Sequence, residues 1–339
     1  MNLYLVGHNG AFPDTFESET VSAIFDTHFE AGRLSLERNS EFFPQRSDEK
    51  IMRVDIKSAI ISIQNLIKET GLTAEDLNSS DIYVANGAFI EDIEKFYSKL
   101  TNVYKNLAPD TTEEQKFHKL YRASPPLVAV ETLTNSSMSF ISQYAGIKGR
   151  NTTFGTTSIS AFYALKETLN SLTNKDTKYV FVCSANCGGS YSALSNTSTI
   201  GYKESWKEGA AVANLIFSND AKENAICEVT HLKSSTSIPN FETRPINRNW
   251  KSLIPDNTAD LLIFSGAFDN ETFEEDKYYC SSLNDNTVSL FPDYGNMGAS
   301  NILMGILHGT AKFSSNLRII DVVDRDLYGR ESLVRIKKC

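Results

Sequence analysis

The stretch Asn151-Thr-Thr-Phe-Gly-Thr-Thr-Ser-Ile-Ser-Ala161 decides how this chain is read. It reads as a short strand running into an amphipathic helix, Thr157–Leu172. A hydroxyl at such a junction has two uses. It can cap the free N–H groups that open a helix, or it can stand where a nucleophile is exposed to the positive end of the helix. Ser158 occupies that place.

Working outward, the signals alternate between buried strands and helices, as in layered α/β proteins. Lys178–Val182 reads as a fully buried strand, followed by a tight turn at Gly188-Gly189-Ser190. No Lys-Ser/Thr pair follows those glycines, so they are not a phosphate loop. Upstream, Val54–Ile67 places Ile56, Ile60, Ile63 and Ile67 near one face, with Gly71 as the stop. Asp81–Ala85 reads as a strand. Ile90–Leu107 reads as a helix with Phe96, Leu100, Tyr104 and Leu107 near one face. Ala108–Ser124 is expected to be largely a surface connection, ended by Ser124-Pro-Pro126, and Ala129–Tyr144 to be a partly buried helix.

The chain also repeats itself. Asp81-Ile-Tyr-Val-Ala-Asn-Gly-Ala-Phe89 matches Asp260-Leu-Leu-Ile-Phe-Ser-Gly-Ala-Phe268. Downstream, Thr153–Leu172 and Tyr294–Thr310 both follow extended segments and open helices with small residues. Two correspondences in the same order suggest a duplicated α/β unit, with halves expected at 1–200 and 201–339.

The 339 residues suffice for a large α/β body, with 41% hydrophobic and 22% charged residues. A net charge of −9 argues against nucleic-acid and anionic-membrane partners, because phosphate recognition needs clustered Lys and Arg. The apolar runs are too short to span a bilayer, and the N-terminus reads as a strand rather than a signal peptide. The five cysteines are irregularly spaced. Cys183 and Cys187 lack further ligands at matched spacing, so neither a disulfide framework nor a metal site is expected. A cytoplasmic protein is expected.

A two-fold α/β repeat with a strand-to-helix nucleophile position resembles the thiolase fold, and several segments are similar to its β-ketoacyl synthase branch. Ser124-Pro-Pro126 with Asn135 and Gly146-Ile-Lys-Gly-Arg-Asn151 resembles the approach to the active site. Thr156-Thr-Ser-Ile-Ser160 resembles Thr-Ala-Cys-Ala-Ser, and Lys178–Gly189 the strand and glycine-rich turn that follow. Glu208-Gly-Ala-Ala211 resembles Glu-Gly-Ala. Gly295-Asn-Met-Gly-Ala-Ser300 resembles Gly-His-x-x-Gly-Ala, one residue shorter. These motifs follow the family's order over nearly the whole chain. The resemblance implies a thiolase-like five-layer α-β-α-β-α sandwich of two pseudo-symmetric halves.

The departures fall on the chemistry. The nucleophilic cysteine matches Ser158, the first histidine Ser265, the second histidine Asn296, and the lysine before it Phe291. The C-terminal glycine-rich loop matches loosely at Asp326-Leu-Tyr-Gly-Arg330. A serine needs a positioned base, and His8, His28, His118, His231 and His308 lie outside the matched motifs. Ser158, Ser265 and Asn296 are expected at one pocket that supports neither condensation nor self-acylation.

The resemblance therefore implies a catalytically degenerate subunit like the chain-length factors of type II polyketide and aryl-polyene systems. Such a subunit pairs with an active ketosynthase, meets acyl carrier protein through the complex, and needs no cofactor. The dimer strand matches about Lys148–Phe154. The chain-length gate matches the helix carrying Phe96, Leu100 and Tyr104; an ordinary core-facing stripe is the alternative for these three. Two other readings stay open: an active acyltransferase using Ser158, and a homodimeric scaffold with an emptied pocket.

Overall fold

The computed structural model describes residues 3–21, 27–34, 36, 42–43, 46–49, 51–87, 93–124, 133, 135–174, 177–186, 206–220, 224–236, 249–255, 259–267, 269–326 and 328–339. Cys187, the Gly188–Ser190 turn, Phe89, Phe268 and the Pro125-Pro126 pair lie outside them, as does the side chain of Phe96.

The strands are β1 Leu3–Ala11, β2 Thr15–Val21, β3 Thr27–Arg33, β4 Asp81–Gly87, β5 Asn151–Thr156, β6 Tyr179–Asn186, β7 Trp206–Glu208, β8 Ala211–Ser218, β9 Cys227–Ser235, β10 Leu261–Phe264, β11 Thr287–Ser289, β12 Ile319–Arg325 and β13 Glu331–Lys338. The helices are α1 Arg46–Glu49, α2 Val54–Thr70, α3 Ala74–Asn78, α4 Ile93–Lys105, α5 Glu113–Ala123, α6 Ser136–Ala145, α7 Ser160–Thr173, α8 Trp250–Leu253, α9 Asn270–Leu283, α10 Phe291–Tyr294 and α11 Asn301–Lys312.

Ten strands form one sheet in the order β11-β10-β12-β13-β9-β1-β8-β6-β4-β5. It reads the same from both ends. From the centre outward, each half holds its first, fifth, fourth, second and third strand in chain order. The outer three are parallel to one another, and the fifth is antiparallel to both of its neighbours. Within the sheet, the two halves pair through Leu3–Leu5 of β1 against Cys227–Val229 of β9. β4 and β10, the strands of the matched segments, are thus equivalent positions. The pattern restarts after β8, because β8 pairs with β6 and β1. We therefore place the boundary in 219–226 rather than at residue 200. A small separate sheet, β2-β3-β7, stands beside this body.

Strand alternation explains the layers. Tyr83, Ala85, Val180 and Val182 of the first half and Ile263, Ile320, Val322 and Val334 of the second share one apolar cluster with Phe162 and Leu165 of α7 and Ile302 and Ile306 of α11. The intervening residues face outward. Ile82, Val84 and Phe181 pack on α2 and α6, whereas Leu262, Phe264 and Val323 pack on Trp250 and Cys280. Helices, sheet, helices, sheet and helices make five layers. Gly305 permits close packing in the middle one, since a Cβ there would lie 2.3 Å from Val322 Cγ1.

Two expected elements change. Residues 113–123, expected as part of a surface connection, form α5. Thr112 and Gln115 make a reciprocal capping box there, and none of its side chains is buried. α6 starts at Ser136 rather than Ala129; Ser136 N–H and Oγ–H both donate to Leu133 O, closing a turn before the helix. Residues 129–132 and 134 lie outside the described residues. No helix among the described residues is long and apolar enough to cross a membrane, and none of their His, Cys, Asp and Glu side chains form a metal-binding cluster.

Candidate functional site

β5 ends at Thr156 and α7 starts at Ser160, so Ser158 lies in the connection between them. Helix α7 has no side-chain cap; Ser160 instead ties the connection together. Its Oγ accepts from Thr156 N–H at 2.9 Å and donates to Thr157 O at 2.7 Å. Ser158 is buried, yet its Oγ makes no formed hydrogen bond. The capping reading of Ser158 is thereby replaced: helix α7 does not use this hydroxyl.

Ser158 faces Asp324, at the end of β12. Asp324 is buried, and its Oδ2 also lacks a formed hydrogen bond. The hydroxyl is nevertheless near enough to favour the ionised carboxyl. Burial pushes the Asp324 carboxyl up to about 7, with the nearby Asp326 charge adding to the rise. Ser158, Asn301 and the Arg325 backbone N–H act in the opposite direction.

The other oxygen is anchored. Asn301 Nδ2, in the first turn of α11, donates to Asp324 Oδ1 at 3.0 Å and to Asn296 Oδ1 at 3.1 Å. Asn301 Oδ1 in turn accepts from Met297 N–H at 2.9 Å. Gly266 lies against the same carboxyl, and a Cβ there would fall 2.2 Å from Asp324 Oδ1. The β10 end, the β12 end and the α11 start thus converge on one carboxyl.

Three of the expected positions gather around it and one does not. Ser158 faces Asp324 directly. Asn296 is joined to it through Asn301, and its own Oδ1 also accepts from Gly298 N–H at 2.8 Å. Ser265 is fully buried; its N–H and Oγ–H both donate to Val323 O at 3.0 Å, so the hydroxyl is spent on the sheet. Phe291 belongs to the outer core, stacked on Phe273 with ring centroids 5.6 Å apart. Among the gate candidates, Leu100 is partly buried. Tyr104 is 59% exposed, so a core-facing role does not apply to it.

A second polar cluster lies alongside. Asp326 Oδ2 accepts from Thr157 Oγ1 and from Arg330 Nε, while Arg330 Nη2 reaches Thr157 Oγ1 at 2.8 Å. Asp326 Oδ1 accepts from the N–H groups of Tyr328 and Arg330, both at 2.9 Å, around Gly329 with φ 77°. This turn fastens the C-terminal loop to the β5–α7 junction. Sequence reasoning missed Asp324 and Asn301, and named Arg330 only as the end of the loosely matched C-terminal loop. The one available signal was the acidic run Asp321–Asp326 in an otherwise apolar strand, where burial of a carboxylate demands a use.

Comparison with known proteins agrees with this architecture. Residues 36–205 match the family model of the β-ketoacyl synthase N-terminal domain. A type II polyketide synthase acyl-carrier protein complex with its ketosynthase, AntDE:AntF, superposes with a TM-score of 0.68 at 15% identity, covering 100% of this chain and 99% of that chain. The ishigamide ketosynthase/chain length factor gives 0.69 at 12% identity, with 100% and 99% covered. The PfaC ketosynthase–chain length factor gives 0.73 at 12% identity, covering 99% of this chain and 43% of that one. At such identities the structural likeness carries the fold alone. No curated protein sequence matches.

Proposed function

The chain belongs to the β-ketoacyl synthase family, and from that premise we propose that it is a non-condensing subunit which pairs with an active ketosynthase and limits acyl chain length. The observation that carries the reading is the fate of the two histidine positions. Ser265 spends its hydroxyl on Val323 O, and Asn296 spends its Oδ1 on Gly298 and Asn301. Decarboxylative condensation needs donors aimed at a developing oxyanion, and losing one typically costs ~3–4 kcal/mol of barrier. With both histidines replaced, turnover by this chain alone is negligible.

The sheet edge supports a partner. β5 is one terminal strand of the sheet, paired only with β4 on its inner side, and none of its residues is buried. An open edge is an aggregation hazard unless another strand covers it. Antiparallel pairing with the equivalent strand of a ketosynthase subunit satisfies it. Ketosynthase–chain length factor pairs are among the structural neighbours, and one neighbour is bound to its acyl-carrier protein. The exposed Tyr104 on α4 offers a side chain to such a partner. Carrier protein then reaches the complex through the active subunit, in the cytoplasm.

The test is co-expression with a neighbouring ketosynthase bearing Cys-His-His, followed by native mass measurement and malonyl-carrier decarboxylation. A one-to-one complex is expected, with decarboxylation only when the partner is present. Decarboxylation by the isolated chain would overturn the reading.

A further inference from the structure

Two departures from the family's motifs meet in space. Thr157 stands where the resembled Thr-Ala-Cys-Ala-Ser stretch carries alanine, and Asp326 and Arg330 bound the stretch that matches the glycine-rich loop only loosely. They lie 169 and 173 residues from Thr157 in the chain, yet the three side chains close one ring. Thr157 Oγ–H donates to Asp326 Oδ2, Arg330 Nε donates to the same oxygen, and Arg330 Nη2 donates to Thr157 Oγ1 at 2.8 Å. The hydroxyl is donor and acceptor at once, which an alanine there could not be. The ring is sheltered, with the Asp326 side chain 0% exposed and that of Arg330 21%. The turn behind it is held as well. Asp326 N–H donates to Arg330 O at 2.9 Å, and the guanidinium lies 5.7 Å from the centroid of the Tyr328 ring.

We propose that Thr157, Asp326 and Arg330 form a latch that fastens the Asp326–Arg330 turn to the β5–α7 junction and keeps position 158 closed to incoming molecules. The inference rests on the non-condensing reading and deepens it: a subunit that cannot condense serves its partner best when its own pocket does not compete for the acyl group. Ser158 follows Thr157 directly and is 3% exposed. The connection that carries it is held from both sides. Ser160 Oγ ties Thr156 N–H to Thr157 O, and the latch ties the Thr157 side chain to the far half of the molecule. Its two anchors belong to different halves, one before α7 and the other between β12 and β13, so the junction cannot open while the ring is closed. An exposed ion pair in this role would be screened by water and worth little. Here the carboxylate is buried and every bond of the ring is charge-assisted, so removing one member is felt as local opening.

The experiment uses Ser158→Cys in the full chain as a thiol reporter at the guarded position. The protein is treated with N-ethylmaleimide at neutral pH, and labelling is timed by peptide mapping. The exposed Cys339 and the buried Cys183 and Cys280 set the fast and slow limits within the same molecule. Position 158 should label near the slow limit. Adding Thr157→Val, which keeps the side chain's shape but removes the bridging oxygen, or Arg330→Gln should speed labelling there by roughly 10-fold or more. Cys183 and Cys280 should stay slow, and amide exchange at Tyr328–Arg330 should quicken in step. Fast labelling of position 158 with the latch intact, an unchanged rate in both latch variants, or a rise shared by Cys183 and Cys280, the mark of general loosening, would each overturn the proposal. Decarboxylation by the isolated chain would sink the non-condensing reading and leave the latch standing; an unchanged labelling rate does the reverse.

Discussion

At the scale of single residues, Asp324 carries the clearest expectation. Its carboxyl is raised in the folded state to about 7, above the ordinary ~4 of an unfolded chain. The folded protein then binds the proton more tightly than the unfolded one. This contribution to stability is fully present below about pH 4 and is lost as pH rises toward 7. Asp324→Asn has no such titration. Relative to wild type it should gain on the order of 4 kcal/mol between pH 4 and pH 7.5, then plateau. Denaturant unfolding of both proteins across that range checks it, and a constant difference would refute the buried titration. Ser265 supplies a second expectation. It is fully buried, with its Cβ close to the site of a Cβ on Gly305. Restoring the family residue by Ser265→His should therefore overpack the site at a cost of about 1–3 kcal/mol or more. It should not create decarboxylase activity, because Phe291 and Asn296 remain spent on packing and on their own turn.

At the scale of elements, α4 and α5 separate what periodicity can and cannot say. The stripe Phe96, Leu100 and Tyr104 suits either a core face or a gate. The exposure of Tyr104 decides against the core for that residue. Tyr104→Ala should change stability by within about 0.5 kcal/mol. In the heterodimer it should lengthen the partner's product if the helix closes the tunnel. Unchanged product length from Phe96→Ala, Leu100→Ala and Tyr104→Ala in an intact complex would remove α4 as the gate. α5 was hidden by its charge: Phe117, Leu120 and Tyr121 stand at helical spacing, but they sit among charged residues and none is buried. Its capping signal, Thr112-x-x-Gln115, was nevertheless present. On α11, Gly305→Ala should cost about 1–3 kcal/mol, because the new methyl meets Val322 rather than a flexible chain end. A thermal-melt comparison tests this.

At the scale of the whole molecule, the mirrored strand order makes the protein two copies of one α/β unit. Duplication also explains why α7 and α11 share the middle layer: each follows the third strand of its half. The β5 edge is one of the two sheet edges this plan leaves open, the other being β11. Pairing through it should bury well over ~2,000 Å², the range of obligate interfaces. Analytical ultracentrifugation should therefore find a dimer, with the ketosynthase or with itself. A stable monomer at micromolar concentration would count against pairing through β5.

The chain's local chemistry determined the element types along most of its length, the repeat of β4 in β10, and the family to which it belongs. Those are properties of short windows: apolar period, capping residues and motif order survive in one dimension. The same windows placed Ser158 at the nucleophile junction. They left its surroundings open, because the only side chains sought beside it were histidines near recognised motifs. Folding decided what lies near it. Asp324 lies at the far end of the chain, and it reaches Ser158 only because the two halves close on a shared middle layer. The state of that carboxyl belongs to three dimensions as well. A carboxylate's proton affinity depends on the water taken from around it and on the donors set beside it, and both are fixed by packing rather than by sequence neighbours.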